Sequence, residues 1–181
     1  PSAIILSGGP ASVYAEDAPD IDVEILNMGI PVLGFCYGQQ IMAVKLGGTV
    51  GHTEKGEYGP ATLYRNCHSR ILGGTPSDGQ TVWMSHRDAV TQVPEGFVVT
   101  AHTDICPVAA MECAERNLYA TQFHPEVRHS VYGQQMLSNF LFKVCGLEDS
   151  WTMDNLVGEL TQQVRDQVGE DRVILGLSGG V

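Results

Sequence analysis

Three residues could together form a nucleophile, its base and an orienting acid. Cys36 sits in Gly34-Phe35-Cys36-Tyr37-Gly38, with a glycine two positions to either side. This is the spacing of the G-x-S-x-G nucleophile elbow, with sulfur in place of oxygen. A side chain pushed out on so sharp a turn needs neighbours without bulk. The helix start that follows offers backbone N–H groups and the positive end of a dipole, both of which favour a thiolate. His124-Pro125-Glu126 supplies the partners: the imidazole can take the thiol proton, the carboxylate can hold the ring, and Pro125 stiffens the backbone between them. An elbow nucleophile also needs N–H donors for the oxyanion that forms on attack. The Tyr37 amide supplies one, and the Ser7-Gly8-Gly9-Pro10 turn is placed to supply another.

The elements that must position these groups follow from the apolar pattern. Ala3 to Leu6 and Val32 to Phe35 are short apolar runs suited to buried parallel strands. Ile41, Met42, Val44 and Leu46 follow at helical spacing until Gly47-Gly48 stops the helix. Ile21 to Asn27 reads as a weakly amphipathic helix, and strand–helix–strand–helix points to a parallel α/β sheet. Tyr119 to Phe123 is another buried strand, ending directly before His124. Val108 to Cys113 and Leu118 to Phe123 read as a hairpin around Ala114 to Asn117. Thr49 to Tyr64 and Gln80 to Ala101 read as strands broken by Gly, Pro and Asn. Ser130 to Val144 carries apolar residues near helical spacing and packs as a helix closed by Gly146. From Thr152 a further helix presents Leu156, Val157, Leu160, Val164 and Val168 on one face. It leads to an apolar strand, Arg172 to Leu177, and to the glycine-rich turn Ser178-Gly179-Gly180-Val181, a type of turn whose amides cradle phosphate.

Gly34-Phe35-Cys36-Tyr37-Gly38-Gln39-Gln40 taken with Phe123-His124-Pro125-Glu126 resembles the class I (triad) glutamine amidotransferases. The resemblance implies that Cys36, His124 and Glu126 are the triad and that glutamine is the substrate. It likewise implies that Gly8, Gly9 and Tyr37 form the oxyanion hole and that Gln40 contacts glutamine. It also implies a flavodoxin-like, mostly parallel sheet flanked by helices. Trp83-Met84-Ser85-His86-Arg87-Asp88 resembles a Trp-Met-Ser-His-x-Asp segment of the GMP synthetase family, which places His86 and Asp88 beside the glutamine pocket. That family usually has a small residue at the position of Arg87. Ser178 to Val181 resembles the opening of the pyrophosphate loop of N-type ATP pyrophosphatases. On this resemblance residues 1–146 are an amidotransferase domain lacking the family's first strand and helix, 147–151 a linker, and 152–181 the start of an ATP pyrophosphatase domain. The chain then reads as part of a longer protein. The glutaminase part needs no cofactor; the full-length enzyme uses ATP and Mg²⁺ to aminate xanthosine monophosphate (XMP) and is a homodimer in the cytoplasm.

Composition narrows the alternatives. A formal net charge of -11 argues against a nucleic-acid partner, whose backbone is bound by clustered Lys and Arg. No apolar run approaches the ~18 residues of a membrane span. Five cysteines without a C-x-x-C pair fit neither a disulfide framework nor a zinc site, and suit a reducing compartment. His52, His68, His102 and His129 show no metal-ligand spacing and read as ordinary surface or core residues. The residues alone support a cysteine hydrolase or transferase acting on an amide or acyl carbon. The alternatives that remain are another triad amidotransferase, a non-catalytic α/β module and a free-standing glutaminase subunit.

Overall fold

The structure is a computed structural model that describes residues 1–148, 153–174 and 176. The chain divides into two compact units, Pro1–Leu147 and Glu148–Val181. The first contains strands β1 (Ile4–Leu6), β2 (Val32–Phe35), β3 (Thr49–Arg65), β4 (Asp78–Gln92), β5 (Val98–His102), β6 (Ala110–Cys113) and β7 (Leu118–Thr121), with helices α1 (Tyr37–Lys45) and α2 (Gly133–Ser138). They form one seven-stranded sheet in the order β1-β2-β7-β6-β5-β3-β4.

The expected parallel strands are present where the elbow lies: β1 pairs with β2, and β2 with β7, in parallel. The remaining ladders, β3–β4, β3–β5, β5–β6 and β6–β7, are antiparallel. The sheet is therefore mixed, and the expectation of a mostly parallel one is corrected. The physical reason is connectivity. Parallel neighbours need a crossover element, whereas β3 to β7 follow one another through turns and loops without an intervening α-helix, which suits antiparallel pairing.

Burial on the two faces of β2 follows its period of two. Leu33 and Phe35 join Leu63, Tyr119, Phe123, Met136 and Phe140 in one apolar cluster. Val32 joins Met42, Val50, Val90, Met111, Leu118 and Ala120 in the other. Every residue of β2 and β7 is buried. The elbow and the strand leading to His124 thus emerge side by side from a fully buried, parallel-paired part of the sheet.

Three local expectations change. The helix expected over Ile21 to Asn27 is one 3₁₀ turn, Val23–Leu26, capped by the Asp22 carboxylate accepting from Glu24 N–H at 3.0 Å. The helix expected from Ser130 begins at Gly133 and widens to a π-helix over Asn139–Val144, where Cys145 N–H bonds Phe140 C=O at 2.9 Å. There the Asn139 amide donates to the Ile71 and Gly73 carbonyls at 2.9 and 2.7 Å, tying the backbone to a neighbouring loop. In the second unit α3 (Met153–Val168) is present and ends at Gly169, φ 57°. The strand expected from Arg172 is absent over the described residues 172–174, where Val173 and Ile174 are exposed. Ser178, Gly179, Gly180 and Val181 lie outside the described residues. Among the described residues no helix is long and apolar enough to cross a membrane.

Candidate active site

β2 ends at Phe35 and the chain reverses into α1 at Cys36, which has φ 50° and ψ -104°. A residue with a side chain held at positive φ stores about 1–3 kcal/mol, and such strain persists where the surroundings impose it. Here they do. Cys36 N–H is bonded to Thr121 C=O of β7 at 2.8 Å, and the Gln39 and Gln40 amides close the first helical turn on Cys36 C=O. At Gly34 a Cβ would stand 2.6 Å from the Gly38 carbonyl oxygen, so the elbow closes only on glycine. The Cys36 side chain is directed toward β4, its Sγ 3.6 Å from Ser85 C=O.

His124 follows β7 by three residues and is clipped to β4. Its N–H donates to Trp83 C=O at 3.0 Å. The Ser130 hydroxyl donates to His124 C=O at 2.5 Å and accepts from Trp83 N–H at 3.0 Å. The ring is held from the other side by Glu126, whose Oε1 is 2.7 Å from Nδ1. Gly8 fills the narrow space between the partners: a Cβ there would meet His124 Cε1 at 2.8 Å and Cys36 Cβ at 3.4 Å. Tyr37 opens α1, so its amide has no acceptor within the helix and is available to a ligand.

These residues border a cavity of about 600 Å³. Gly8, Gly9, Cys36, Gln40, His86, Asp88 and His124 all line it, as do Ser85, Arg87, His52 and Tyr58. Glu126 stands behind His124 and is partly exposed. The Tyr37 ring turns away, its hydroxyl donating to Pro19 C=O. Gln40 is buried and its amide nitrogen donates to Asp88 C=O at 2.7 Å and to Gln122 Oε1 at 3.2 Å, which leaves its carbonyl oxygen for a ligand. His86 borders the cavity, but its ring is 1% exposed and both nitrogens are engaged inside the protein.

His52, read from sequence as ordinary, is instead part of the cavity wall, its Nδ1 paired with the Asp88 carboxylate. Glu57 and Ser130 were also not legible as site residues. The first is brought in by cross-strand register and the second by the loop that follows His124, and neither carries a local motif.

The electrostatics of the pair are those of a base that keeps its proton. The His124 pKa is pushed up to about 10. The interaction with the Cys36 sulfur contributes most, the hydrogen bond with Glu126 next, and burial opposes both. Burial pushes the Glu126 carboxyl up, yet the hydrogen bond and charge of His124, with a backbone hydrogen bond, outweigh it and hold Glu126 below its ordinary value. Because the folded-state value lies above the ordinary 6.5, the proton's contribution to stability is complete below that pH and is lost as pH rises through about 10. We expect the His124 ring signals in an NMR titration to report a protonated imidazole at about pH 8, between those two values. Cys36→Ala should lower the midpoint more than Glu126→Gln does, and an unshifted wild-type midpoint would refute the pairing.

Residues 1–144 match the glutamine amidotransferase class-I family. The whole chain is 56% identical to a GMP synthase [glutamine-hydrolyzing] of Streptomyces avermitilis, covering 34% of that protein, and 49% identical to the one of Clostridium perfringens, covering 35%. The chain thus spans about a third of the length of these curated relatives. A crystal structure described as that of a GMP synthase subunit from Thermoplasma acidophilum superposes with a TM-score of 0.67 at 31% identity, over 89% of this chain and 76% of that one. By the family match over residues 1–144 and the likeness to that subunit structure, this chain belongs to the class I glutamine amidotransferases.

Proposed function

We propose that this chain is the glutaminase part of a glutamine-hydrolysing GMP synthase, with Cys36, His124 and Glu126 as its triad. The observation that carries the proposal is the strained elbow that holds Cys36 against a histidine already braced by Glu126, inside one cavity. The Cys36 thiolate attacks the side-chain amide carbon of glutamine, and the carbonyl oxygen takes up the negative charge against the Tyr37 and Gly9 amides. Losing one such donor raises a barrier by about 3 kcal/mol. His124 gives its proton to the amide nitrogen, the C–N bond breaks and ammonia leaves a γ-glutamyl thioester on Cys36. Water, deprotonated by His124, then attacks the thioester, and glutamate leaves as the Cys36 thiolate and the protonated His124 are restored.

Gln40 and Asp88 bind the glutamine, Gln40 through its free amide oxygen and Asp88 through the carboxylate that His52 holds. The high identity to GMP synthases supports XMP as the ammonia acceptor in the whole protein. ATP and Mg²⁺ would activate it at a site that includes the Ser178-Gly179-Gly180-Val181 sequence. We further infer a homodimeric, cytoplasmic enzyme, consistent with five cysteines that form no disulfide.

The test supplies the full-length protein with XMP, ATP, Mg²⁺ and glutamine labelled with ¹⁵N at the side-chain amide. Label is expected in the exocyclic amino group of GMP. Glutamate formation with no label in GMP would keep the glutaminase and overturn the acceptor; no glutamate at all would overturn both.

A further inference from the structure

Behind the cavity wall lies a polar cluster that the reaction does not use directly. Glu57 and His86 are register partners across β3 and β4. The ladder is interrupted just before them: residues 53–56 bulge opposite Arg87 alone, between the His52–Asp88 and Glu57–His86 pairs. Bulges beside a site re-aim side chains, and this one turns Glu57 into the protein, where it is 7% exposed. Its carboxylate accepts from the Thr103 hydroxyl at 2.8 Å through Oε1 and meets His86 Nε2 at 3.1 Å through Oε2. The far side of the same ring, Nδ1–H, donates to Asp88 C=O at 3.1 Å. That carbonyl is also the acceptor of Gln40 Nε2–H at 2.7 Å. A continuous chain of hydrogen bonds therefore runs from Thr103 through Glu57, His86 and the Asp88 carbonyl to the amide of Gln40.

We propose that Glu57 and His86 are positioning residues for the glutamine pocket, acting through the Asp88 carbonyl to orient Gln40. The inference rests on the reading of that pocket as a glutamine site. A neutral side-chain amide can present either its oxygen or its nitrogen to a ligand. Gln40 has that choice removed, because its nitrogen is committed to Asp88 C=O and Gln122 Oε1. The Asp88 carbonyl stays where it can accept only while His86 Nδ1–H holds it, and the ring is oriented only while Nε2 shares a proton with Glu57. Burial makes each link worth keeping, since an unsatisfied buried polar group destabilises the fold and the pocket it lines.

Cys106 brings its sulfur near the same group, so that Glu57, His86 and Cys106 ligand atoms lie within 4.8 Å of one another. Their types are those of metal ligands. The hydrogen bonds nevertheless already occupy both carboxylate oxygens and both ring nitrogens. Burial also pushes the Cys106 thiol up to about 12, away from the thiolate a metal requires. The network is complete with protons alone.

Two near-isosteric replacements separate the links. In His86→Asn the amide nitrogen takes the place of Nδ1 and keeps the bond to Asp88 C=O. In His86→Gln it takes the place of Nε2, keeping Glu57 and releasing the carbonyl. The readout is inactivation of the 181-residue chain by the δ-diazoketone analogue of glutamine, which alkylates Cys36 after binding in the pocket, resolved into KI and kinact. Iodoacetamide, which needs no pocket, is the control. His86→Gln should raise KI about tenfold with kinact and the iodoacetamide rate unchanged, while His86→Asn stays within about threefold of wild type. Should His86→Gln fail to fold, Glu57→Ala against Glu57→Gln asks the same question, because the amide introduced by Glu57→Gln can still accept from Thr103 and donate to His86. Equal KI values in each pair, or a KI that responds to added Zn²⁺ in wild type but not in Cys106→Ala, would overturn the proposal. If wild type reacts with iodoacetamide but is not saturably inactivated by the diazoketone, the glutamine reading itself fails and takes the inference with it.

Discussion

Replacing Cys36 with alanine should lower glutamate formation from glutamine by at least about a thousandfold, the scale on which enzymes lose activity with a member of a nucleophile–base pair. The size of the effect follows from what remains. Without sulfur there is no thioester, and His124 could at best direct water at an unactivated amide. The substitution leaves the fold in place, because alanine is smaller than cysteine and Cys36 makes no side-chain hydrogen bond that caps α1. The backbone strain at φ 50° is unchanged, since alanine resists that region as cysteine does. Loss of activity in a variant that still unfolds cooperatively, its midpoint lowered by the stabilisation that the Cys36 sulfur gives the His124 proton, therefore locates the defect in the chemistry. Cys67→Ala supplies the control: Cys67 is exposed, distant in sequence from the elbow, and its removal should change nothing measurable. Retained hydrolysis in Cys36→Ala would move the reaction to another nucleophile and leave the elbow without a purpose. The assay is glutamate release under saturating glutamine, with the full-length protein used if the 181-residue chain turns over slowly.

How much of this was legible beforehand varies with how local the signal is. The elbow could be read because its constraint is local: glycines flank a position where strand becomes helix, and at Gly34 a Cβ would lie 2.6 Å from the Gly38 carbonyl oxygen. His124 and Glu126 could be read because they stand either side of one proline at the end of a buried strand. The mixed sheet could be read only in part: the hairpin around Ala114 to Asn117 is the antiparallel β6–β7 pair, whereas Val98 to His102 carries no signal of strand direction and its pairing was decided by connectivity. Glu57 stands 29 residues from its partner His86, and only the irregular register of β3 on β4 brings them together. Ser130 is a serine in a loop until its hydroxyl is seen to bridge His124 C=O and Trp83 N–H. His52 illustrates the opposite error: its spacing from other histidines was uninformative because its partner is the carboxylate of Asp88, on the neighbouring strand. Residues proposed to perform the chemistry carried motifs, whereas residues that hold them were visible only through long-range contacts.

Gly38→Ala should be the most destabilising small substitution in the elbow. By helix propensity alone it ought to help, since alanine is favoured over glycine within a helix by about 1 kcal/mol. The surroundings reverse the sign. A Cβ on Gly38 would stand 2.1 Å from the carbonyl oxygen of Leu6 and 2.8 Å from its carbonyl carbon. Neither atom belongs to a side chain that could rotate away, so β1 must separate from α1. β1 is held at the sheet edge by its pairing with β2 alone, and the loop it leads into carries Gly8, packed between Cys36 and His124. Overpacking of a tight interior costs about 1–3 kcal/mol and more where backbone must move, a large share of a stability of ~5–15 kcal/mol. Urea unfolding of the variant should shift its midpoint down accordingly, with hydrolysis lost because Gly8 is drawn away from the pair. Gly158→Ala, on α3 with nothing within 4 Å of the added carbon, isolates the propensity effect and should raise helicity slightly. If Gly38→Ala unfolds at the wild-type midpoint, the close approach of β1 to the start of α1 is wrong, and with it the placement of the Gly8–Gly9 turn over the nucleophile.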